Sequence, residues 1–172
     1  MLTLAMLLSL VALPPPLQPT PREGSRRLTL EMARNIVREQ GAKQAAASTL
    51  DPYWGQLLDS VATGASGWLD LAGELRAQSD AEASETLDAA MGEALCRAPE
   101  RALRRLEGHP FSVSRVCGNS FSKSGIRGAT DEAAAIAAQQ AAVESVHDAK
   151  LKARQQSCLA LIRKRLTVIH GH

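Results

Sequence analysis

Aromatic side chains are scarce in this chain: two Trp, two Phe and one Tyr among 172 residues. No segment sustains the apolar–polar alternation of a half-buried strand. Together these two shortages argue against a β-sheet core, which is rich in aromatic and β-branched side chains. An excess of one charge is also missing. Twenty Lys and Arg stand against eighteen Asp and Glu, for a net charge of +2. No global field therefore draws the chain to nucleic acid or to an anionic membrane. The three cysteines show no CxxC spacing, and the four histidines form no H-E-x-x-H motif and only a single E-x-x-H, Glu144 to His147, with no second copy to pair with it. That pattern points away from a zinc site, and the sequence implies no metal and no cofactor.

Leucine and alanine are plentiful instead, and the AVILMFWYC set reaches 45%. A core of small and aliphatic side chains suits closely packed helices. The length suits one domain.

Residues 2–13, LTLAMLLSLVAL, are an uncharged apolar run closed by Pro14-Pro15-Pro16. Twelve helical residues rise only about 18 Å, short of the ~30 Å hydrocarbon core of a bilayer. The length matches the apolar part of a secretory signal. No Lys or Arg precedes the run, and no A-x-A-like cleavage site follows it; a buried terminal helix is the competing reading. The expectation is export to the periplasm or beyond, with no stable membrane span once the signal is removed; the alternative is a cytoplasmic chain. Residues 1–24 are then a signal-like segment and Pro-rich linker, and residues 25–172 a single helical domain.

Helical punctuation runs through that domain. A first helix covers about residues 29–40, with Met32, Ile36 and Val37 apolar, and stops at Gly41. Asp51-Pro52 reads as a cap followed by proline at the first helical position. Trp54, Leu57, Leu58 and Val61, then Trp68, Leu71, Ala72 and Leu75, repeat an i, i+3, i+4, i+7 stripe on either side of Gly64. That pattern is an antiparallel helical hairpin whose tryptophans belong to the core. Ser79 and Glu82 form a capping-box pattern ahead of a helix over about 80–98, and Pro99 starts the next. Thr130 and Asp148 head the last two long helices. The sum is an all-α domain of about seven short amphipathic helices, either stacked as solenoid-like antiparallel hairpins or packed as an irregular bundle.

The same periodicity sorts the cysteines. Cys158 falls on one face with Leu151, Ile162 and Ile169, and Cys117 shares a face with Val113 and Val116. Cys96 lies off the stripe of Leu87, Met91, Ala94 and Leu95. An exported chain would oxidise the inward pair, so the expectation is a Cys117–Cys158 disulfide with Cys96 free.

One loop resembles chemistry. Residues 116–125, VCGNSFSKSG, contain Ser120-x-x-Lys123, the spacing that gives a serine nucleophile a lysine base. The S-D-N and K-T-G companions of penicillin-recognising enzymes are missing, and the flanking glycines and asparagine describe a loop instead of a helix start. As a phosphate loop the stretch lacks the glycine before Lys123 and any surrounding α/β pattern. Arg101, Arg104 and Arg105 form a basic patch that reads as a solvated face. Arg163-Lys164-Arg165, with Lys150, Lys152 and Arg154, spreads around its helix and forms no single stripe for nucleic acid. The sequence therefore favours a non-enzymatic binding or structural module, inhibitor-like or immunity-like, with a protein partner; its oligomeric state is left open. The alternatives are a small serine hydrolase using Ser120 and Lys123 and a cytosolic helical adaptor.

Overall fold

The computed structural model describes residues 27–48, 50–118 and 132–170. The apolar N-terminal run and most of the serine loop lie outside these residues. Among the described residues there are nine α-helices, one 3-10 turn and no strand, so the chain is all-α. The helices are α1 (Leu30–Gln40), α2 (Ala42–Ala47), α3 (Trp54–Ala62), α4 (Ser66–Arg76), α5 (Ala81–Arg97), α6 (Pro99–Arg105), α7 (Val113–Gly118), α8 (Glu132–Glu144) and α9 (Lys152–His170). The 3-10 turn, Ala149–Leu151, leads into α9.

Local chemistry explains most boundaries. Thr29 Oγ1 accepts from Met32 N at 3.2 Å and starts α1, and Gly41, at φ 79°, ends it. Pro99 opens α6, where its missing N–H costs nothing. Asp148 caps the turn before α9 by accepting from Lys150 N.

Two boundaries differ from the sequence expectation. Helix α3 begins at Trp54, not at Pro52, and its N-cap Tyr53 makes no side-chain cap bond. Residues 50–53 form a turn instead, with Tyr53 N donating to Leu50 O, and this turn places Leu50 at 2% exposure in the core. Burying a leucine, worth about 1.5–3 kcal/mol, outweighs a capping bond of ~1 kcal/mol. At α5 the cap is Asp80, whose Oδ1 accepts from Ala83 N at 2.9 Å. Ser79 is occupied elsewhere: its hydroxyl donates to Arg76 O and meets Ser84 Oγ at 2.7 Å.

Helices α3 and α4 form the expected hairpin. Gly64, at φ 72°, makes its turn, and a Cβ at that position would collide with the Ala98 methyl. Trp54 and Trp68 are half-buried and pack on the core cluster, which includes Leu57, Val61, Leu71 and Leu75. Helix α5 is the hub. It packs against α3, α4, α6, α7 and α8, which explains why Ala83, Ser84, Asp88, Ala90 and Gly92 are buried in addition to the expected stripe. In a solenoid each unit touches only its neighbours. Here the contacts gather on one central helix.

Polar side chains lock the helices together. Arg76 grips the nearly buried Asp88 with two bonds, Nε to Oδ1 at 3.0 Å and a terminal nitrogen to Oδ2 at 3.1 Å, joining α4 to α5. Two adjacent residues of α9 cap other helices. Arg154 donates to the carbonyls of Leu103 and Arg104 at the end of α6. Gln155 Nε2 donates to the carbonyls of Val143 and Val146 at the end of α8, each at 2.8 Å. Helix ends carry orphan carbonyls and partial negative charge, so a guanidinium and an amide there satisfy both.

Candidate functional site

The site is built where α7 meets α9. Helix α7 has six residues, too few to be stable alone. It is held by burial of Val116 and Cys117 and by contacts with α5 and α9. Across from it, α9 buries Cys158, Leu159 and Ile162. The two inward cysteines meet as the periodicity predicts: Cys117 and Cys158 are disulfide-bonded, with Sγ–Sγ 2.06 Å and Cα–Cα 5.3 Å, across 41 positions of sequence. Both residues are fully buried. Cys96 is free and half-buried, its thiol directed to Gly92 O. Burial pushes that thiol up to about 11, Glu93 adding to the shift and Arg97 opposing it.

Beside the cystine lies an open groove of about 340 Å³. Its floor comes from the flank of α9 next to the core stripe, where Leu161, Arg165 and Val168 recur at i, i+4 and i+7 and Ile169 adjoins them. Ser114 and Gly118 of α7 form one wall. Gly118 has no side chain to cover Leu161; a Cβ built there would stand 3.8 Å from a Leu161 methyl. Val168 is 57% exposed and is the one large hydrophobic side chain exposed among the described residues.

The groove is also charged. The Arg165 side chain is only 10% exposed and lies 4.0 Å from the Glu132 carboxylate at the start of α8. Burial lowers the Arg165 pKa, and Glu132 opposes that shift. Lys164 stands exposed at the rim, with no carboxylate in ion-pair contact among the described residues.

A second cleft, of about 310 Å³, is lined by Arg27, Asp59, Thr63 and Arg97 among others. Much of its polar lining is used internally. Gln56 Oε1 accepts from Leu28 N at 2.7 Å, Ser60 Oγ donates to Gln56 O at 2.7 Å, and Thr63 Oγ1 donates to Ser60 O at 2.6 Å.

The residues singled out by sequence are distributed as follows. Cys117 and Cys158 come together. Ser120 and Lys123 lie outside the described residues. The α6 patch is largely tied into ion pairs: Arg104 bonds Glu100 and, at 2.8 Å, Asp148, and Arg105 pairs with Asp70 of α4. The basic run of α9 is split, Arg163 meeting Glu144 at 3.0 Å, Arg165 facing Glu132 and Lys164 facing outward. His109 and His147 are exposed, and no group of three His, Cys, Asp or Glu among the described residues could hold a metal ion. No helix among them is long and apolar enough to cross a membrane. The groove was not legible as a unit beforehand. Its one local signal is Val168, an aliphatic residue off the inward stripe of its own helix.

The chain matches no protein-family model, no curated protein and no solved structure.

Proposed function

We propose that this chain is an exported, disulfide-stapled α-helical module that works by binding another protein and not by catalysis, as an inhibitor-like or immunity-like component of the bacterial periplasm or cell surface. The observation that carries the reading is the fully buried Cys117–Cys158 cystine beside a groove that the described residues leave open. Cystines persist in oxidising compartments and are rare in the cytosol of mesophiles. A buried cystine of this kind anchors the short helix that walls the groove, which is how a rigid docking surface is kept on a marginal element. The apolar segment at 2–13 supports export as well, since its length is that of a signal core.

The test is intact mass of the protein from its native host, alkylated under non-reducing conditions. The expected product lacks about 20–27 N-terminal residues, as signal removal requires, and takes up alkylating reagent at one thiol of three. A full-length chain with three alkylated thiols would refute export and favour the cytosolic adaptor. Crosslinking in the native host then tests binding: a protein partner is expected, and none would refute a binding role. A fluorophosphonate probe tests the hydrolase alternative, with labelling expected to be no greater for the wild type than for Ser120→Ala.

A further inference from the structure

We infer that the groove between α7 and α9 docks a short amphipathic segment of the partner protein, one that sets an acidic side chain within a helical turn of two aliphatic ones. The inference rests on the binding-module reading above and adds the chemistry of the partner. Leu161 and Ile169 bound the apolar floor and lie two turns apart on α9, a span of about 12 Å. A pair of anchors at i and i+3 or i+4 on an approaching helix, about 5–6 Å apart along its axis, fits within that span. Val168, at 57% exposure, is the natural contact for one of them.

Charge selects among possible segments. Among the described residues, the groove carries the cations Lys164 and Arg165 against one carboxylate, Glu132. Arg165 already faces Glu132, so Lys164 supplies the excess positive charge. A basic segment would be repelled, and a wholly apolar one would leave Lys164 without a complement. An acidic residue beside the anchors answers both. The shape argues against a small amphiphile such as a fatty acid. Pockets for such ligands bury most of the ligand surface, whereas among the described residues this groove is open. A peptide needs only one of its faces covered.

Selection of a phage-displayed library of 12-residue peptides on the oxidised full-length chain tests this, run in parallel on the Lys164→Glu variant. Peptides selected on the wild type are expected to pair Leu, Ile or Phe at i and i+3 or i+4 with Asp or Glu nearby. A synthetic copy of the strongest should bind Lys164→Glu and Val168→Asp roughly tenfold more weakly than wild type. Its NMR shift changes should fall on residues 161–169 and 114–118, and both variants should keep the wild-type circular dichroism. Peptides without acidic residues, equal affinity for Lys164→Glu, or shifts elsewhere would overturn the proposal. So would a groove that selects no peptide, whether because dodecanoate binds there instead or because residues 119–131 of the chain itself fill it. The two levels separate cleanly. A partner that crosslinks elsewhere on the surface removes this inference and leaves the binding role standing; absence of any partner removes the binding role.

Discussion

Reducing the Cys117–Cys158 bond is the perturbation whose effect follows most directly from the structure. The bond closes a loop of 41 positions. In the chain-entropy model, that closure removes about 13 cal/mol/K from the unfolded ensemble, or about 4 kcal/mol at 25 °C. A domain of this size has only ~5–15 kcal/mol of net stability, so the bond is a large part of the total. Both sulfurs are fully buried, so the reduced thiols stay within the core, moving apart only to van der Waals contact, and reduction itself opens no cavity. The Cys158→Ala variant should lose the same ~4 kcal/mol and a further ~1 kcal/mol for the lost packing. Cys96→Ala changes a half-buried thiol outside any bond and should cost less than about 1 kcal/mol. Urea unfolding followed by circular dichroism, on oxidised wild type, reduced wild type and the two variants, measures all four. The melting temperature should fall by roughly 8–16 °C on reduction and little in Cys96→Ala. Hydrogen exchange adds a local readout, because α7 is too short to persist without its anchor and its amides should open first. Equal losses in Cys96→Ala and Cys158→Ala, or a reduced protein as stable as the oxidised one, would refute the reasoning.

Three further outcomes follow from particular side chains. Arg76→Ala leaves the Asp88 carboxylate, 3% exposed, without its two bonds, and should cost about 3–5 kcal/mol, the usual penalty for stranding a buried charge; a loss under 1 kcal/mol in urea unfolding would mean that the pair is not buried in solution. Gln139→Leu should stabilise the protein by about 1–2 kcal/mol, because this fully buried amide makes only a 3.5 Å bond to Gly92 O and its Oε1 accepts none among the described residues; a lowered melting temperature would show that the amide is better satisfied than its geometry indicates. Cys96, pushed up to about 11 from 9.0, should react with iodoacetamide at pH 8 roughly a hundredfold more slowly than an unshifted thiol. Because its folded pKa is raised, its stabilising contribution is complete below about pH 9 and is lost as pH rises towards 11; equal alkaline stability of wild type and Cys96→Ala would contradict this.

Local order dominated what could be read without coordinates. The start at Thr29, the stop at Gly41, the proline at the head of α6 and the Gly64 turn each depend on a few neighbouring residues, and each appears where the sequence puts it. The cystine was legible for a related reason. Helical periodicity fixes which way a side chain faces, and of three cysteines only two faced inward. The failures at Ser79 and Asp51 are also local signals, but ones overruled from outside. Ser79 is recruited by the carbonyl of Arg76 and by Ser84, and the turn at 50–53 is bent to send Leu50 into the core.

The sequence by itself thus determined an all-helical chain, the approximate limits of its helices, and the pairing of Cys117 with Cys158. All of these follow from interactions within a few residues or from the period of one helix. The tertiary structure alone decided the rest. It made α5 the hub, set Arg154 and Gln155 against the ends of α6 and α8, and laid α7 along α9 to leave a groove with Lys164 at its rim. Those contacts join residues up to 51 positions apart. No periodic pattern encodes which of several similar Ala- and Leu-rich faces will meet. Their fit, and the polar groups left wanting partners at helix ends, settle it.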